Sequence, residues 1–291
     1  MLQRAFPWVL RAAWAVIPAV VWPALGEGLR RHSDAVRTTC AVAAWVVWAA
    51  LLLATLVPHP VGLTATRCGS PLVFAAAVAA VATGRPSVTA SALAVAWSIG
   101  VVVLIYLPQT GTLFVNGPAY PNERRFPLAP PGALLLGPLE LAWLLAAGLP
   151  VAALLFLAAR AWVPGGIALV LAVAAVRYLG AALHGLSRRW VVFVPAGLVL
   201  HDRMTLVDPV LFPRATIESL GPAPADTDSL DLTQRAPGLA LELILRTKVP
   251  MERATPGKRR GEEGASARLL FTPTRPGAVL AEAARRGVRV A

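Results

Sequence analysis

The residues best suited to chemistry are few in this chain and stand apart. The four histidines, His32, His59, His184 and His201, show no metal-ligand spacing. His201 precedes Asp202, but neighbours on a strand point to opposite faces, so the two predict a surface turn and not a dyad. The two cysteines, Cys40 and Cys68, stand near the starts of consecutive apolar segments. If those segments run antiparallel through a bilayer, the thiols lie toward opposite faces, beyond the roughly 7 Å between Cα atoms that a disulfide tolerates. Both then read as small buried apolar residues. The sequence has no phosphate-binding loop, no HExxH, no GxSxG, no CxxC and no GxGxxG. It predicts no catalytic residue, no cofactor and no metal, and the expectation is a protein that is not an enzyme.

One pair of charges stands out. Glu140 is six residues into an apolar stretch starting at Leu134, and Arg177 is seven residues back from His184. At about 1.5 Å per helical residue both lie roughly 9–10 Å below the same membrane face. Their segments are joined by a short linker around Arg160, so they are antiparallel neighbours. Opposite charges at equal depth predict an ion pair, because a lone charge in lipid is costly. Such a pair either fixes helix register or lines a path for protons or a substrate. A second cluster, Glu123, Arg124 and Arg125, sits in the Pro- and Gly-rich connection 108–132. It is a candidate contact with the C-terminal region, and its plainer reading is a solvated connector with a positive anchor.

The elements that must position these residues follow from composition. Hydrophobic residues make up 57% of the 291 and charged residues 14%, with mean hydropathy +0.65. Ordinary soluble domains are less apolar and nearly twice as charged, so a soluble enzyme and a disordered chain are both excluded. The lipid bilayer is the first partner implied. The net charge of +12 could suggest nucleic acid, but only Lys248 and Lys258 are lysines and Ala, Pro and Arg abound throughout. That bias reads as a GC-rich genome, and no nucleic-acid partner is expected. Residues 1–187 carry 11 basic and 4 acidic side chains, whereas the shorter 188–291 carries 16 and 11. The break predicts a helical membrane domain over 1–187 and a soluble domain over 188–291.

Four stretches, 38–57, 87–107, 134–158 and 162–183, reach the roughly 20 apolar residues a spanning helix needs. Two more are ambiguous. Residues 6–25 contain Arg11, Pro7, Pro18 and Pro23, which fits an interfacial helix that breaks at Pro18. Residues 62–83 have a strongly apolar part of only 14 residues, preceded by Arg67, and read as a full span or a re-entrant helix. With four spans, nine arginines face the cytoplasm and three face outside; with six, the split is seven to five. Charge favours four, length allows six, and both place the C-terminal domain in the cytoplasm at the plasma membrane. A five-span chain would place it outside.

Beyond Arg189 the pattern changes to short strands. Runs 190–194 and 198–201 flank Pro195-Ala196-Gly197 as a hairpin. Further strands are expected at 210–212, 215–220, 239–246 and 268–272, with a loop over 222–238 and a mobile insertion over 247–267. A closing helix is expected over 276–286, with Pro276 in its first turn and Gly287 just past its end. The runs RWVVFVPAGLVLHD, LFPRATIESL and RLLFTPTRPGAVLAEAARRGV resemble a bacterial pleckstrin-homology-like (PH-like) domain, a small β-rich α+β fold closed by a C-terminal helix. The chain as a whole resembles multi-pass membrane proteins of GC-rich actinobacteria, a resemblance that implies no activity. Pleckstrin-type domains that bind phosphoinositides carry a basic cluster in the first hairpin turn, which here holds no Lys or Arg. The resemblance thus implies a scaffolding role toward a membrane or cytosolic protein. The alternative is a transporter or channel subunit using Glu140 and Arg177.

Overall fold

The computed structural model describes residues 2–255 and 261–291. It divides into two compact units: Met1–Gly117 with Glu140–His184, and Pro118–Leu139 with Gly185–Ala291. The second unit is therefore discontinuous, because the 118–139 connection belongs with the C-terminal region.

The helical unit contains α1 (Leu2–Ala15), α2 (Ile17–Leu29), α3 (Asp34–Leu56), α4 (Pro60–Gly84), α5 (Val88–Tyr106), the short α6 (Pro108–Asn116), α7 (Pro138–Ala158) and α8 (Trp162–Leu186). Among the described residues six stretches are long and apolar enough to cross a membrane, α1 and α2 together supplying one of them, Ala5–Leu29. This is the pattern of a membrane-embedded helical protein. Helix starts follow side-chain chemistry: Ser33 and Ser87 accept hydrogen bonds from the backbone N–H groups of Val36 and Ala90. Large apolar side chains such as Val163, Val170 and Val173 face outward, as lipid contact requires.

Both ambiguous stretches are spans in length and composition. Pro18 falls in the first turn of α2, where its missing N–H is not needed, and Val16 and Val20 keep bonds to Ala12 and Val16 across the junction. The expected break at Pro18 is thus corrected, since Ala5–Leu29 runs through it as one apolar stretch of spanning length. Arg11 donates from its Nε to the Thr55 carbonyl at 3.2 Å and from its Nη2 to the Leu56 carbonyl at 3.4 Å. These carbonyls end α3, where a cation is favoured by the helix dipole. Trp14 and Trp48 donate reciprocally to each other's carbonyls at 3.0 and 3.1 Å. Helix α4 is the hub of the unit and packs against α2, α3, α5 and α6. Its crossing with α2 is tight: a Cβ on Gly84 would stand 2.4 Å from the Gly28 nitrogen. Small residues that let helix backbones touch are what membrane packing selects.

The second unit contains β1 (Arg124–Pro127), β2 (Trp190–Val194), β3 (Gly197–His201), β4 (Val210–Pro213), β5 (Ile217–Pro222), β6 (Leu230–Asp231), β7 (Leu241–Arg253), β8 (Glu262–Phe271) and α9 (Pro276–Arg285). They form two four-stranded sheets, ordered β1-β2-β3-β4 and β5-β7-β8-β6. Phe126, Phe193, Leu200, Phe212, Leu243 and Phe271 meet Val279 and Ala283 of α9 in one core. The expected hairpin is β2–β3, with Val194 opposite Gly197.

Two expectations are revised. The mobile insertion over 247–267 is mostly the outer half of a hairpin: Val249 pairs with Ser266 and Arg253 with Glu262. Charged and proline-bearing sequence reads as a loop, yet a two-stranded ribbon carries it here, with Val249 and Met251 turned to the core and Lys248 and Pro250 outward. Residues 256–260, the rest of that insertion, lie outside the described residues. The loop over 222–238 contributes β6, paired in parallel with β8.

Candidate functional site

The connection 108–132 holds more structure than a solvated linker. Its first residues form α6, and Arg124–Pro127 form β1, the edge strand of the first sheet, in which Arg124 pairs with Phe193 and Pro127 with Trp190. Phe126 and Leu128 enter the core at 5% and 6% exposure, Phe126 edge-on to Phe193 at 5.9 Å between ring centroids. The Pro127 carbonyl accepts from the Thr274 backbone at 2.9 Å and its hydroxyl at 3.1 Å, and the Ala129 N–H donates to Thr272 at 2.8 Å. The connection is stitched to both sheets.

At the centre of this seam is a buried ion pair. Arg189 forks onto Asp202, Nε to Oδ1 at 2.7 Å and Nη2 to Oδ2 at 2.8 Å, and Nη1 donates to the Ala129 carbonyl at 2.9 Å. The two side chains are 2% and 1% exposed. Asp202 also accepts from the Met204 N–H at 3.0 Å. The expected surface turn at His201-Asp202 is thus corrected. The two side chains do diverge, but Asp202 points inward because Arg189 stands at the start of the paired strand. A bidentate, fully hydrogen-bonded pair is what makes burial of two charges tolerable.

Of the expected loop cluster, Glu123 and Arg125 form an ion pair, Oε1 to Nε at 2.8 Å, and Arg125 also lies over the Trp190 ring at 5.3 Å. The hydrogen bond from Arg125 holds the Glu123 carboxyl below its ordinary range; burial opposes this and the Tyr120 N–H adds to it. Next to it His201 stands edge-on to Trp190, its Nε2 buried without a partner. Burial, joined by the charges of Arg188 and Arg203, holds this imidazole below its usual range. On the second sheet Glu242 is buried. Burial alone would raise its pKa, but hydrogen bonds from Ser229, Thr227 and Arg268 outweigh that and hold it low.

No ion pair between Glu140 and Arg177 is among those described, and α7 begins later than its apolar run predicts. The run 132–135 is a 3-10 turn, Gly137 has φ +121°, and the residue before Pro138 is barred from helical geometry. Helix α7 therefore starts at Pro138, which leaves Glu140 in its first turn. Arg177 is nine residues, about 13 Å of helical rise, from the end of α8. Its guanidinium lies over the Tyr178 ring at 5.9 Å.

The helical unit has a polar seam that sequence reasoning missed. Arg67 is seven residues into α4 and stacks on Tyr106 at 5.9 Å, while the Tyr106 hydroxyl donates to its carbonyl at 3.0 Å. Its Nε and the Ser70 hydroxyl are buried without a hydrogen-bond partner. On the same helix the Cys68 carbonyl accepts from Trp143 of α7 at 2.9 Å, and Thr64 bonds His184 of α8 at 3.0 Å. Cys40 and Cys68 are free thiols. The signal was the spacing Thr64, Arg67, Cys68, which marks one face of a helix.

Among the described residues no group of His, Cys, Asp or Glu is placed to hold a metal. Comparison with protein-family models, curated proteins and solved structures gives no match for this chain.

Proposed function

We propose that this chain is a non-catalytic, multi-pass plasma-membrane protein whose helices anchor a PH-like interaction domain on the cytoplasmic side. The observation that carries the reading is β1. A strand from between two apolar helices supplies core residues and an edge to the C-terminal domain, so the domain is built into the helical chain and not merely appended to it. Because β1 and β2 share a sheet, the 118–139 connection and the C-terminal region stand on one side of any membrane the helices cross. Four apolar stretches precede the connection, so an even count puts the N-terminus on that side too. The seven-to-five arginine count then favours the cytoplasm. Two sheets with a closing helix, and a first hairpin turn without basic residues, favour contact with a membrane or cytosolic protein.

The test is topological. Reporters fused after Ala291 and inserted at Tyr120 should both be active only in the cytoplasm. An external signal from either overturns the orientation, and opposite signals from the two overturn the shared sheet.

A second reading, transport, is favoured by the Arg67 seam, since intramembrane charges default to function. In proteoliposomes Arg67→Gln should then change ion leak while the melting temperature holds; a fall in melting with unchanged leak would mark the seam as structural.

A further inference from the structure

We infer that the second unit carries an anion-binding cavity for a phosphate group, formed by Arg214, Arg246 and Arg289. The cavity measures about 430 Å³. Its three arginines come from separate places: Arg214 from the 3-10 turn after β4, Arg246 from β7, and Arg289 from the segment after α9. Nothing local brings them together; the fold does.

Each element is fixed. The Arg214 N–H donates to the Ala196 carbonyl at 2.9 Å. Arg246 follows Leu245, which pairs with Ile217 at the last register position of β5 on β7. The segment after α9 is held against β5, where the Leu220 N–H donates to the Arg289 carbonyl at 2.9 Å and the Ala291 N–H to Leu220 at 3.2 Å. Gly287 permits the arrangement twice. Its φ of +70° lets the chain leave the helix, and its bare Cα leaves room for Arg214, whose Nη2 would stand 2.7 Å from a Cβ there. Ile217 and Val288 supply an apolar floor.

The electrostatics point to an anion. Glu218 is the only carboxylate in the wall, so the cavity carries a net +2. Among the described residues Arg214, Arg246 and Arg289 are in no ion pair, whereas Arg125, Arg189, Arg253, Arg268, Arg285 and Arg286 of this unit are paired. Three arginines lining one open hollow leave an excess of positive charge there that an anion would neutralise. Their planar forks match the oxygens of a phosphate better than a point charge does. The ligand class is a phosphate monoester, from a soluble compound or a lipid headgroup. The site is distinct from the β1 seam and stands whether or not the interaction-domain reading holds.

The test titrates the full-length protein in neutral detergent with inorganic phosphate and, separately, with dihexanoyl phosphatidic acid. At least one probe should bind saturably, and Arg246→Gln and Arg289→Gln should each weaken it about tenfold, as loss of a charge-assisted contact does. Glu218→Gln should act with the opposite sign and tighten binding. Arg203→Gln, exposed and outside the cavity, should leave it unchanged. Equal affinity for both probes assigns a soluble phosphate compound; a phosphatidic-acid analogue bound at least about tenfold more tightly assigns a headgroup. No saturable binding of either probe, or binding indifferent to the Arg246 and Arg289 changes, overturns the inference.

Discussion

Within the apolar helices arginines meet carbonyl oxygens and aromatic rings; in the β-rich unit they meet carboxylates. Arg11 closes the end of α3 and lies over Trp8, Arg67 lies over Tyr106, and Arg177 over Tyr178. In the other unit Arg189 grips Asp202, Arg125 grips Glu123, and Arg285 and Arg286 both hold Glu282. The carboxylate partners of helical arginines, Glu27 for Arg30 and Asp34 for Arg37, stand at helix ends. A second buried charge costs more in lipid than the first one gains by pairing, so helices satisfy arginine with dipoles and rings. In the β-rich unit most of these carboxylate pairs keep at least one partner near water, and the buried Arg189–Asp202 pair is made tolerable by its bidentate fork and further hydrogen bonds. Arg214, Arg246 and Arg289 have no ion-pair partner among the described residues and share one cavity wall, which is why they point to a ligand.

The comparison can be broken hardest at the buried pair. Asp202→Ala leaves Arg189 charged and alone in the core and should cost about 3–5 kcal/mol, whereas Arg189→Met with Asp202→Leu should recover most of it. Melting of the second unit, followed by hydrogen exchange in β2 and β3, checks this, and the helical unit should keep its protection. Phe126→Ala should cost about 3 kcal/mol in the same unit, since it empties a core position. If that change destabilises only the helices, β1 is not part of the domain.

Acid should sharpen the contrast, because the titrating groups with low-held pKa values named here lie outside the helices. His201 is held below its ordinary range, so its contribution is complete above the unfolded value near 6.5 and is lost as pH falls through the folded value. Glu242 and Glu123 are also held low, so theirs is complete above about 4.3 and lost below it. Stability of the second unit should fall in two stages, and His201→Gln should remove the first. A melting temperature flat from pH 7 to pH 4 would contradict the His201 assignment, and no further fall between about pH 4 and pH 2 would contradict those of Glu242 and Glu123. The smallest effect is expected at Glu140. With Glu140 in the first turn of α7 and Arg177 deeper in α8, Glu140→Gln should cost less than about 1 kcal/mol. A double change with Arg177→Gln should be additive to within about 0.5 kcal/mol. A larger coupling would reinstate a clamp between those helices.

Much of the molecule was legible locally. The alternation of Leu239, Leu241, Leu243 and Leu245 reads as one buried face of a strand; the last three are buried in β7, and Leu239, which precedes the strand, is exposed. The run across Pro195-Ala196-Gly197 marked β2–β3, and Pro276 with Gly287 bracketed α9. Each signal is a period or a turn set by neighbours in sequence. The start of α7 was misread because Leu134 and Leu135 are as apolar as the helix that follows. Glu242 alternates with those leucines and is buried all the same, where Thr227, Ser229 and Arg268 reach it from elsewhere in the chain.

The sequence by itself determined the class of the protein: apolar stretches of spanning length, a charge break near residue 187, and strand periodicity beyond it. Those are one-dimensional properties, fixed by composition and by the helical and strand repeats. Only the tertiary structure decided that 124–127 would become an edge strand of a domain some sixty residues later. It alone joined Arg189 to Asp202 and Ala129, and gathered Arg214, Arg246 and Arg289 around one cavity. Contacts between residues far apart in the chain depend on which loops can close and which cores can fill, and no local repeat encodes that choice.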